Sequence, residues 1–157
     1  MSADPSVMTS LAVFLREYHR ALSVGDAAYL EAHTTLPLSF SQAELDMEAK
    51  VFTKKLRTIA DLLKVRRLLR WPQNLVPRGP EDLAQLKRGR QKCDDPKHPS
   101  IPNWKQGEPA VEIAGDVASL SYLAMACAAE THVVILRFVR EANTWRLRER
   151  AIHLGTT

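Results

Sequence analysis

The chain has 157 residues, 45% of them hydrophobic and 25% charged, with a net charge of +4 at pH 7. That balance suits one folded α+β domain, residues 1–157, with a core of its own, and argues against a disordered or fibrous chain. No apolar run approaches the roughly 18 residues that a membrane-spanning helix needs. Met1–Thr9 lacks the basic flank and apolar centre of a signal peptide, so a cytoplasmic protein is the default expectation. A secreted or periplasmic chain trimmed of its leader would read the same. Cys93 and Cys127 have no metal-ligand spacing and imply no disulfide framework, although one bridge between them stays open.

In chain order, Leu11, Phe14, Leu15, Tyr18 and Leu22 recur at helical spacing and give one apolar stripe. Asp4 ahead of Pro5 supplies an N-cap and a preset first turn, and Gly25 a left-handed end. Asp26 then caps a second short helix, Ala27 to about His33. Leu36–Phe40, apolar but carrying Pro37, reads as a short edge strand or an extended crossing. Ser41-Gln42-Ala43-Glu44 has capping-box form and predicts the start of the longest helix. Leu45, Phe52, Leu56, Ile59 and Leu63 lie on one side of it. Continued unbroken, that helix would put Arg66, Arg67 and Arg70 on the apolar stripe, which is costly. A kink or restart near Lys64 is therefore expected, with Val65, Leu68 and Leu69 forming a new stripe up to Trp71-Pro72.

Residues 72–109 are rich in proline and read as a long irregular excursion with one helical turn around Glu81–Lys87. Trp104 is placed to pin its end onto the body. From Lys50 to Lys92 basic residues far outnumber acidic ones, a charge pattern that can attract phosphate or an acidic partner. Phe52 and Trp71 are the only aromatic residues among these charges, too few to stack successive bases, which argues against nucleic acid.

The tail alternates like a sheet. Val111 and Ile113 lead to a turn at Gly115-Asp116, Val117–Met125 forms the next strand, and Cys127–Glu130 connects to a third, His132–Arg140. Ala142-Asn143 marks the last reversal before Trp145–His153. A regular hairpin about that reversal pairs Arg140 with Trp145, Phe138 with Leu147, Leu136 with Glu149, Val134 with Ala151 and His132 with His153. The opposite face then carries Ile135, Arg137, Arg146, Arg148 and Arg150. A slip of one residue would reverse the assignment.

The segments Tyr18–Asp26, Val111–Ala118, Leu136–Arg140 and Trp145–Leu147 together resemble the nuclear transport factor 2-like superfamily, which includes ketosteroid isomerases and SnoaL-like cyclases. The resemblance implies a cone, with N-terminal helices on the concave face of a curved antiparallel sheet. Residues 44–108 depart from its compact members. Of the isomerase site, Tyr18 matches the tyrosine on the first helix. The base position falls at Ser41-Gln42, and the second acid position at Val134. With neither carboxylate present, the resemblance does not bring isomerase chemistry with it.

These readings make Tyr18, Leu22, His132, Val134, Phe138, Leu147, Glu149 and His153 the candidate pocket residues. Glu149, with Tyr18, is the catalytic candidate, since an inward carboxylate must find a partner or neutralise. A His132/His153 pair lacks a third ligand, so no metal is expected, nor any cofactor. Ser119 and Ser121 have no histidine and acid to activate them. Tyr122, Ile135, Arg137, Arg146, Arg148 and Arg150 form a face suited to a homodimer. The sequence thus predicts a non-catalytic module for a small apolar ligand or a partner segment. The alternatives are a SnoaL-like enzyme using Glu149 for proton transfer, and a basic adaptor for an acidic protein or nucleic acid.

Overall fold

A computed structural model describes residues 4–42, 56–88, 108–127 and 130–156. The first helix, α1 (Pro5–Val24), starts where the sequence places it: the Asp4 carboxylate accepts from the Ser6 backbone N–H at 2.8 Å, and Pro5 needs no donor there. It ends at Gly25, whose φ of 77° turns its N–H back to the Ala21 carbonyl. Asp26 caps α2 (Ala27–Ala32) through the Tyr29 N–H. The expected apolar stripe is buried: Leu11, Phe14, Leu15, Tyr18 and Leu22 are each at most 4% exposed.

The next segment corrects the sequence reading. Ser41 and Gln42 are not a helix start but the end of β1 (Thr34–Gln42). Residues 43–55, including Glu44, lie outside the described residues. Leu56 meets β1 in an isolated bridge, Leu38 donating to its carbonyl at 2.8 Å. Helix α3 (Ile59–Leu69) then starts at a reciprocal capping box: the Thr58 hydroxyl accepts from Asp61 N–H, and the Asp61 carboxylate accepts from Thr58 N–H, both at 3.2 Å. It runs through Lys64 without a break. No kink is needed, because Leu56 and Leu63 do not share one helix and the arginines need not follow their stripe. Leu62 and Leu69 face the core instead. Arg66 donates to the Leu22 and Ser23 carbonyls at 2.7 and 2.9 Å, satisfying the end of α1 with a positive charge where the helix dipole favours one.

After α3 the chain makes two 3₁₀ turns, Gln73–Leu75 and Pro80–Asp82, the second in place of the expected turn over 81–87. This half of the excursion is anchored, with Leu75 and Leu83 both buried in the core. Backbone bonds from Ala110 to Leu86 and from Arg88 to Glu108 lead the chain back to the sheet. Residues 89–107, with Cys93 and Trp104, lie outside the described residues.

The sheet comprises β1, β2 (Val111–Ala114), β3 (Val117–Cys127), β4 (Glu130–Glu141) and β5 (Thr144–Thr156), in the order β1-β5-β4-β3-β2. Only β1 runs parallel to its neighbour. Pro37 sits in the stretch between Thr34 and Ser39 where the β1–β5 register shifts, as a residue without an N–H requires. Both predicted reversals are present: Gly115 has φ 62°, and Ala142 and Asn143 have φ 49° and 62°, the two positive values of a type I′ hairpin. The fold is α+β, with the helices on the concave face of a curved, mainly antiparallel sheet. Ala118, Leu120, Tyr122, Val134, Leu136, Phe138, Trp145, Leu147 and Ile152 supply the sheet side of the core.

The β4–β5 register holds as far as Phe138↔Leu147 and then shifts, Arg137 pairing with Glu149. Arg148 is the extra residue of a β-bulge. Beyond it every expected pair is displaced: Leu136 faces Arg150, Ile135 faces Ala151, Val134 faces Ile152, and His132 faces Leu154 while His153 faces Val133. One inserted residue therefore exchanges the faces of Glu149 and Arg150, because side chains alternate with period two.

Candidate functional site

The interior of the cone is packed. Phe14 lies 5.3 Å from Phe138 edge-on and 5.4 Å from Tyr18, and Trp71, arriving from the end of α3, stacks parallel to Tyr18 at 6.4 Å. Such offset and edge-to-face contacts are favoured by the ring quadrupoles, and burying Phe138 alone is worth about 1.5–3 kcal/mol. Tyr18 shares a 2.7 Å hydrogen bond with the Thr34 hydroxyl, and burial raises its phenol well above the usual range. It is a neutral, fixed group. Tyr18, Leu22, Val134, Phe138 and Leu147 are thus brought together, as the sequence predicts, but as core: each is at most 1% exposed and none lines a described cavity.

Glu149 is not in that interior. The bulge places it on the outer face, where Arg137 Nη1 donates to its Oε1 at 2.6 Å and a quarter of its side chain is exposed. The catalytic reading of Glu149 as an inward acid or base is therefore corrected. Arg150 makes the reverse move and is buried on the concave side, 1% exposed. Tyr122 also belongs inside, paired with Val134. Of the expected outer face, Ile135, Arg137, Arg146 and Arg148 remain, joined by Glu149. The two histidines are not partners across the ladder, and the described residues hold no group of three or more His, Cys, Asp or Glu that could bind a metal.

A cavity of about 390 Å³ opens beside this core, lined by His19 of α1, Arg67 and Arg70 at the end of α3, the Trp71–Gln73 turn and Tyr122 of β3. Each wall has a local cause. Arg67 stands in the last turn of α3 and Arg70 at its C-cap, and Pro72 halts the chain so that Trp71 folds inward. His19 follows Tyr18 on α1 and bonds the Trp71 carbonyl through Nε2 at 2.8 Å. A carbonyl only accepts, so Nε2 carries the proton. Burial holds the imidazole pKa below its ordinary value, with the Arg70 charge adding to the effect and the Trp71 carbonyl opposing it. The Trp71 Nε1 is buried with no hydrogen-bond partner, an omission that costs about 1–3 kcal/mol. Arg67 and Arg70 make no ion pair with any described residue, and among the described residues no carboxylate lines the cavity. The site holds two fixed positive charges, a neutral imidazole and an aromatic wall, which suits binding more than proton transfer.

Sequence reasoning missed this cavity. It named Arg67 and Arg70 only within a basic segment and Trp71 only as a helix end. The available signal was a tryptophan between an arginine-rich helix end and a proline. Two other cavities are larger. One lies against the 3₁₀ turns near Arg16 and Arg78, and one between the hairpin tip and the Tyr29–His33 ring pair.

No family model and no curated protein matches the chain. Among solved structures it is similar to an NTF2-like protein of unknown function from Silicibacter pomeroyi, at 14% identity and TM-score 0.47, over 98% of this chain and 99% of that one. It is also similar to a cystatin-fold protein of unknown function from Nostoc punctiforme, at 12% identity, TM-score 0.45 and coverage of 99% and 96%. A third is ActVI-ORFA from Streptomyces coelicolor, at 17% identity, TM-score 0.43 and coverage of 95% and 97%. No activity passes from these proteins to this chain. Among the described residues no helix is long and apolar enough to cross a membrane.

Proposed function

We propose that this chain is a non-catalytic binding module that takes a small organic molecule in the cavity between α1, α3 and β3. The observation that supports it is the pairing of a closed apolar interior with an adjoining 390 Å³ cavity whose walls carry unpaired donors and no carboxylate. The cavity lies within the size range of small-molecule sites, about 300–1,000 Å³. The reading moves the ligand from the middle of the cone, where Tyr18 and Phe138 occupy the space, to its mouth.

A fragment screen read by the Trp71 indole N–H resonance, assigned with Trp71→Phe, tests it. Expected are fragments that shift this resonance saturably, bind unchanged in Glu149→Gln, and are recovered chemically intact after long incubation. Conversion of a bound fragment, abolished by Glu149→Gln, would overturn it. So would a screen in which no fragment moves the resonance.

A further inference from the structure

We infer that the molecule taken by this cavity is a small organic acid, its carboxylate held by Arg67 and Arg70 and its body against the Trp71–Pro72 wall. The inference rests on the binding-module reading and adds the chemical class.

The charge arrangement carries it. Arg67 stands in the last turn of α3 and Arg70 is its C-cap residue three positions on, and both line the cavity. Two guanidinium groups so placed repel one another, and nothing among the described residues offsets them. The other arginine of this turn, Arg66, shows the contrast: its Nη1 donates to the Leu22 and Ser23 carbonyls. The end of the helix dipole tolerates the pair without giving it a specific partner. His19 completes a rim on which no group carries a negative charge, and its imidazole stays neutral near pH 7. An arginine fork matches a planar carboxylate with two parallel hydrogen bonds, and two arginines can share its oxygens.

Size and wall chemistry narrow the class. A cavity of about 390 Å³ has room for a ring or a short chain beside the charged end. Trp71, Pro72 and Tyr122 supply the apolar surface for that body, and the Gln73 amide adds a polar group at the rim. Phosphate esters share the anionic chemistry, but a tetrahedral dianion is larger and more strongly hydrated than a carboxylate entering beside a nearly closed indole.

The test uses ¹⁵N-labelled full-length protein, the Trp71 indole resonance as reporter, and three probes of similar size: benzoate, phenyl phosphate and neutral benzamide. Expected is saturable binding of benzoate, with benzamide and phenyl phosphate at least about tenfold weaker. Arg67→Gln and Arg70→Gln should each weaken benzoate about tenfold, the scale of a lost charge-assisted bond, and leave benzamide unchanged. Arg148→Gln, exposed on the outer face, should change nothing. Should an Arg67 or Arg70 variant fail to fold, a salt titration of the unaltered protein replaces it, since benzoate affinity must fall with ionic strength and benzamide affinity must not. Tighter binding of phenyl phosphate would overturn the carboxylate in favour of a phosphate ester. Equal binding of benzamide and benzoate would overturn the acid while leaving a binding module. Silence from all three probes would sink both readings.

Discussion

The two halves of the β4–β5 hairpin differ in how far alternation can be trusted. Between the Ala142-Asn143 turn and the Phe138–Leu147 pair, simple alternation assigns every side chain to its observed face. Past Arg148 the same rule reverses the faces of the β5 residues, although it still holds for Leu136 and Val134 on β4, and composition and strand propensity do not change there. Alternation is therefore a local rule, valid between irregularities, and a bulge resets it. The consequence is chemical: the carboxylate leaves the interior, a guanidinium enters it, and the case for acid–base catalysis goes with the carboxylate.

The sharpest way to break this comparison is to delete one residue on either side of the shift. Removing Arg146, inside the regular ladder, turns one flank of β5 over and should abolish folding, a loss of more than about 4–5 kcal/mol. Removing Arg148 instead leaves Leu147, Glu149 and Arg150 on their present faces, and should cost no more than an ordinary substitution, about 1 kcal/mol. Urea denaturation of both deletions checks this; equal damage would refute the bulge assignment. Next in size is Phe138→Ala, which empties the centre of the aromatic cluster and should cost about 3–5 kcal/mol in the same assay.

Gly25→Ala offers a control outside the sheet. Its φ of 77° is unfavourable for alanine, and a Cβ there would lie 3.2 Å from the Nε of Arg66, whose Nη1 serves the end of α1. A loss of about 1–2 kcal/mol is expected by thermal denaturation. Glu149→Gln should have the smallest effect, below about 1 kcal/mol, because its partner Arg137 is partly in solvent. An inward carboxylate would give a much larger change.

The mouth adds a pH test. The His19 pKa is depressed in the folded chain, so the unfolded chain binds the proton more readily. The stability tied to neutral His19 is complete above its ordinary value of 6.5 and falls as the pH drops below it. Denaturation midpoints measured from pH 7.5 to 5 should decline less steeply in His19→Gln than in the unaltered protein. Parallel profiles would mean that His19 is not held neutral by its surroundings.

What was legible in the sequence was what short-range chemistry controls. Asp4-Pro5 and Gly25-Asp26 bound α1 and begin α2 because caps act within one turn. Gly115 and Ala142-Asn143 mark the reversals because each tolerates a positive φ there. Of the capping pattern at Ser41–Glu44, the pairing of β1 with β5 drew Ser41 and Gln42 into the sheet, and Ala43 and Glu44 lie outside the described residues. The box that forms, at Thr58 and Asp61, is equally short and was overlooked.

Of the candidate site, Tyr18 was legible as an inward tyrosine on the first helix, but not its neighbours. The cavity joins His19, Arg67, Arg70, Trp71 and Tyr122, which come from three elements separated by as many as 103 positions, from 19 to 122. No local periodicity records such a meeting. By itself the sequence determined the α+β order, the caps, the turns and which segments are amphipathic, since these follow from neighbours a few residues apart. Only the tertiary structure decided where the register slips, which of Glu149 and Arg150 faces the core, and that Trp71 closes the cone beside two arginines. Those outcomes depend on pairing across the ladder and on packing between distant segments, where one extra residue reverses a face.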